Sequence, residues 1–90
     1  MVVVNDFVID DENVEKFWAH GLTPEQVLSI LASPFKVKRN RKRRRASEKI
    51  IGRDAHGQCI AVPIERTAEA GTWRPVTAWP CKPSEWLELP

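Results

Sequence analysis

In the first third of the chain the apolar side chains recur every three or four residues, and from Phe35 onward they alternate with polar ones. The first spacing lays apolar groups along one stripe of a helix, the second along one face of a strand. Asp10, Asp11 and Glu12 stand where a helix would begin, favourable to the positive end of its dipole, and Val14, Phe17 and Trp18 follow at helical spacing. This first helix is expected to end at Gly21, with His20 in its last turn. Thr23, Pro24 and Gln26 form a strong start for a second: Thr23 caps, Pro24 suits the first helical position and Gln26 reaches back. Val27, Ile30 and Leu31 share its core face, and Ser33-Pro34 stops it.

Val2 to Ile9 is rich in β-branched residues and reads as an opening strand or extended segment. Phe35 and Val37 alternate with Lys36 and Lys38, beginning a strand with its basic side chains outward. Ala46 to Arg53 and Cys59 to Ile64 flank the turn cluster Asp54-Ala55-His56-Gly57 and are expected to pair as an antiparallel hairpin, with Ile60, Val62 and Ile64 in the core. Pro63 implies a bulge or a position that needs no ladder hydrogen bond. In Thr72 to Trp79, strict alternation would put Arg74, Val76 and Ala78 on one face and Trp73, Pro75, Thr77 and Trp79 on the other. Ser84 is placed to cap a short closing helix, and Trp18 and Trp86 read as packing residues. The expected fold is α+β, in one domain spanning residues 1–90: two N-terminal helices packed on one face of a three- to four-stranded antiparallel sheet, with a short C-terminal helix.

A hydrophobic content of 42% with 29% charged residues fits a folded globular domain rather than a disordered chain. No apolar run approaches the ~18 residues of a membrane span, so a cytoplasmic protein with no membrane partner is expected. Cys59 and Cys81 do not make a disulfide framework, and reduced, buried thiols are the expectation. His56 and Cys59 have a ligand-like spacing but no second pair, so no metal site is expected.

The net charge of +2 conceals a division of the chain. Residues 1 to 25 hold six acids against one base, Lys16, whereas Lys36 to Arg53 holds ten of the fourteen Lys and Arg residues and one acid, Glu48. So dense a run repels itself and must face solvent or a polyanion, of which nucleic acid is the commonest. Its place between two apolar segments, rather than at a terminus, sets it apart from a nonspecific basic arm.

The order of these pieces resembles the BrnT-type toxins, the ribonuclease half of a bacterial toxin–antitoxin pair. The resembling residues are Asp10 to Lys16, His20-Gly21-Leu22-Thr23 and Glu25 to Val27; then Ile50-Ile51-Gly52-Arg53, His56-Gly57-Gln58 and the apolar strand; and last Trp73-Arg74-Pro75-Val76-Thr77-Ala78. The resemblance implies a RelE-like or barnase-like fold and metal-free RNA cleavage without a cofactor. It also implies a hetero-oligomer with a small antitoxin, acidic and DNA-binding, that blocks the active surface. Trp79 stands where that family carries an arginine, which leaves open an alternative: a noncatalytic module that binds nucleic acid or an antitoxin.

Metal-free cleavage needs a base for the 2′-hydroxyl, cations for the pentavalent phosphate and an acid for the departing oxygen. His20 is the proton carrier the resemblance favours, with Glu48 and Lys49 as alternatives. Arg74 would hold phosphate charge, helped by Arg66 or Arg53, and Thr77 could donate to the same group. Arg39, Arg41, Lys42, Arg43, Arg44 and Arg45 would grip the backbone without reading sequence, and Trp79 could stack on an unpaired base. A third class, an interaction protein whose basic loop meets only an acidic partner, shares the same residues.

Overall fold

The computed structural model describes residues 2–40 and 45–90. The elements run β1 (Asp6–Phe7), α1 (Asp11–Ala19), α2 (Pro24–Ser29) with a 3-10 turn at Ile30–Ala32, β2 (Lys36–Arg39), β3 (Glu48–Arg53), β4 (Cys59–Arg66), β5 (Thr72–Pro75), β6 (Trp79–Pro80) and α3 (Pro83–Trp86). The architecture is α+β around one sheet of order β1-β5-β4-β3-β2, with β6 also paired to β4. The sheet is mixed, because β1 runs parallel to β5 while the other pairs are antiparallel. The opening strand is reduced to two residues, and the remaining contacts of the N-terminal segment are irregular, such as Trp73 Nε1 donating to the Val3 carbonyl at 2.9 Å.

Both helix starts follow from local chemistry. Asp10 caps α1 by accepting from the Asn13 amide at 2.9 Å, and the Asn13 side chain returns the bond to the Asp10 amide at 2.9 Å. Asn13 is fully buried, and its Nδ2 donates to the carbonyls of Val8 and Pro75, so the helix start is tied to the ends of two strands. Thr23 and Gln26 make the same reciprocal pair at α2. Between the helices Gly21 takes φ 75°, the left-handed conformation in which a chain leaves a helix. Gly52 serves another purpose: a Cβ there would lie 3.1 Å from that of Phe35 and 3.2 Å from that of Ile30, so its absence lets the 3-10 turn close on the sheet.

The main core packs Phe17, Leu22, Val27 and Ile30 from the helical segment on Ile50, Ile60, Val62, Ile64 and Trp73 from the strands. A smaller cluster on the other side of the sheet joins Ile51, Cys59 and Ala61 to Trp79, Cys81 and Leu89 of the C-terminal segment. Here the expectation of free thiols is overturned, since Cys59 and Cys81 form a disulfide with Cα atoms 5.3 Å apart. Two cysteines distant in sequence meet because β6 lies beside the start of β4, where the Cys81 amide donates to the Cys59 carbonyl.

Pro63 causes no bulge, and the β3–β4 register runs unbroken through Lys49 and Pro63. Its carbonyl accepts from Val76, so its nitrogen also faces the gap between β5 and β6, where no ladder donor is required. That gap also overturns the strict alternation expected for residues 72 to 79. Trp73 and Pro75 are buried as a strand would have them, but residues 76 to 78 are irregular, Ala78 turns into the main core and Trp79 lands in the opposite cluster. In α3 the cap position is Lys82, and Ser84 lies inside the helix. Trp18 and Trp86 are exposed at 59% and 43%, so neither is a core residue. No helix among the described residues is long and apolar enough to cross a membrane.

Candidate nucleic-acid interface

On the sheet face away from the main core, a groove of about 800 Å³ opens between α1, the β2–β3 end and the C-terminal segment. Its floor is Lys38, Lys49 and Pro63 from three adjacent strands, which pairing places side by side. One wall is Val76 and Thr77, with Lys16 from α1; one end is Trp79 and Lys82, the other Arg39, Asn40, Arg45 and Ala46. Six lining residues are Lys or Arg, and among the described residues no Asp or Glu lines it. A cleft of one sign with low-dielectric walls concentrates its field and attracts an anion.

The cations divide by their partners. Lys49 donates to Glu85 at 3.0 Å, Lys38 meets Glu88 at 3.1 Å, and Arg45 meets Glu65 at 2.6 Å and Glu12 at 3.0 Å. Among the described residues Lys16, Arg39 and Lys82 make no ion pair. Those three are the charges open to a ligand.

Glu85 fixes the end at Trp79. It is buried, which pushes its carboxyl up, but the Lys82 amide, Lys49 and the Trp79 indole N–H all donate to it and hold it below the ordinary range. The indole is thereby held at the groove's end, with the Lys82 ammonium 6.0 Å from its centroid. His20 caps the end of α1, and its ring lies 6.4 Å from that of Trp79. Glu12, Lys16 and His20 are spaced four residues apart and share one side of α1, and of the three Lys16 lines the groove.

Arg74 is placed otherwise than a phosphate clamp requires. Its side chain is 14% exposed; Nε and Nη2 donate to the two Asp10 oxygens at 2.8 and 3.1 Å, Nη2 also to Glu12 at 3.2 Å, and Nη1 lies 3.6 Å from Glu65 without a hydrogen bond. Arg45 shares Glu12 and Glu65 with it, so the two arginines and three carboxylates form one network beside the groove. Hydrogen bonds from Arg74 hold Asp10 low, those from Arg45 and Arg74 hold Glu12 low, and Asp10 in turn raises Arg74. An arginine so engaged positions the start of α1 against the sheet, and its one unbonded nitrogen, Nη1, is buried, so it has no open edge for phosphate.

Of the other residues singled out from sequence, Thr77, Lys49, Arg39, Arg45 and Trp79 meet in the groove. Glu48 pairs with Arg39 and Ile64 across the ladders and does not line it. Arg53 lies over Trp86 at 5.6 Å and Arg66 over Trp73 at 5.2 Å, each away from the groove. Arg41, Lys42, Arg43 and Arg44 lie outside the described residues. Sequence reasoning passed over Lys16 and Lys82. Lys16 carried a signal, being the one base among the acids of the first 25 residues.

No family model matches the chain, and neither does any curated protein or solved structure.

Proposed function

We propose that the groove binds the phosphodiester backbone of single-stranded RNA, with Lys16, Arg39 and Lys82 neutralising phosphates and Trp79 offering a face to a base. The carrying observation is six cations, without an acid, lining one groove that has an indole at one end. Base stacking on an aromatic ring is typically worth ~1 to 3 kcal/mol and tolerates any sequence, which suits a groove lined by long cationic side chains. The test is binding of a fluorescent oligonucleotide at several salt concentrations, in RNA and DNA forms. Affinity for RNA should fall with log salt at a slope near −0.7 per phosphate contact, about −2 for the three unpaired cations. Salt-independent or undetectable binding would end this reading.

A second reading adds cleavage, making the chain the endoribonuclease toxin that its sequence resembles, acting in the cytoplasm and held by an acidic antitoxin. It is favoured by His20, an exposed imidazole beside Trp79 on the side of α1 that carries Lys16. His20 would supply the proton transfer, Thr77 a hydrogen bond to the phosphate, and Arg74 would act only by positioning. Incubation of the purified chain with a defined RNA, alongside His20→Ala, separates the two readings. Cleavage lost in the variant with binding retained supports the enzyme; intact RNA with both proteins leaves a binding module.

A further inference from the structure

We infer that Lys36 and Lys38 form a second phosphate subsite, continuous with the groove and filled in this structure by the chain's own Glu88; the inference rests on the RNA-binding reading. Residues two apart on a strand point to the same side, so these lysines rise together from β2. Glu88 spans them, Oε2 to Lys36 Nζ at 3.2 Å and Oε1 to Lys38 Nζ at 3.1 Å. Two ammonium groups, each taking one oxygen of the same anion, are a geometry that the two nonbridging oxygens of a phosphodiester also satisfy. Lys38 lines the groove as well, so a backbone lying there reaches the subsite without leaving the cationic surface.

Glu85 and Glu88 lie on the same C-terminal segment but are held in different ways. Glu85 is buried and takes three kinds of donor, among them the indole of Trp79, so its removal would loosen the groove itself. Glu88 is 30% exposed, and its lysines 51% and 38%, so water and a competing anion can reach all three. Exposed pairs of this sort contribute little to stability. The two lysines nevertheless hold the Glu88 carboxyl below its ordinary range, which keeps it charged and in place at neutral pH. An incoming polyanion must displace it. Glu88 therefore lowers the affinity of the groove, as an internal substitute for one phosphate.

The experiment compares full-length wild type with Glu88→Gln for binding of a short single-stranded oligouridylate across a salt series. Glu88→Gln should bind about three- to tenfold tighter, with a slope steeper by ~0.7 for one added contact. Lys36→Gln placed on Glu88→Gln should remove that gain. Should Glu88→Gln fail to fold, Glu88→Ser removes the same carboxylate while keeping Leu89 in its cluster, α3 and the disulfide. Wild type that binds with Glu88→Gln equal or weaker overturns the subsite and leaves the groove standing. No binding by either protein overturns both.

Discussion

The two faces of the sheet are held by different forces. On one, Ile50, Ile60, Val62 and Ile64 are fully buried beneath Phe17, Leu22, Val27 and Ile30, and their stabilisation is apolar area withdrawn from water. On the other, the apolar cluster is small, and a C-terminal segment is tied down by the Cys59–Cys81 bond and by carboxylates on lysines, Glu85 on Lys49 and Glu88 on Lys36 and Lys38. The buried apolar contacts of the first face offer no charge for a ligand to exchange. The second has unpaired cations, exposed ion pairs and a cleft, so what stabilises it can be exchanged for an anion from outside.

That contrast ranks the expected effects of substitution. Phe17→Ala on the helix-covered face should cost about 3 to 5 kcal/mol in a denaturant titration, because the cavity cannot collapse under two elements. Cys81→Ser should cost about 3 kcal/mol, the chain-entropy value for a loop closed across 22 residues, and the loss should match that of wild type under reductant. A much smaller loss would mean that β6 and Glu85 hold the segment unaided. Arg74→Ala should cost about 2 kcal/mol, by leaving Asp10 without its cation and Glu12 and Glu65 to Arg45 alone, with RNA affinity per folded molecule little changed. A large fall in affinity with unchanged stability would return Arg74 to the ligand.

Carboxylates paired or hydrogen-bonded on both sides of the sheet set the response to acid. Asp10, Glu12, Asp54, Glu85 and Glu88 are all held below their ordinary values, so between folded and unfolded pKa the unfolded chain binds more protons and stability rises with pH. Their contribution is fully present above about pH 5 and is lost as pH falls through the lowered values, readable as a melting temperature that is flat near neutrality and drops below about pH 4. The smallest effect on stability should come from Lys16→Ala, Arg39→Ala and Lys82→Ala combined, within about 0.5 kcal/mol at each site, yet it should flatten the RNA salt slope by about 2.

Local patterns in the sequence were enough for both helix starts, the β3–β4 hairpin and its core face, because a cap, a helical stripe and strand alternation are each settled within a few neighbouring residues. The basic character of the chain between residues 36 and 53 was equally legible, since charge density is a property of the string. Pairing across distance was not. Whether Cys59 meets Cys81, whether Arg74 meets phosphate or Asp10, and where Trp79 faces depend on which strand edges adjoin and on an irregular stretch of three residues between β5 and β6. Lys16 and Lys82, unremarkable in sequence, become groove residues only when α1 and the C-terminal segment are laid on either side of the sheet. Composition and periodicity determined which elements form and which face is apolar; only the tertiary structure decided which charges are matched with one another and which stay open, because ion pairing depends on distances of a few ångströms between residues far apart in the chain.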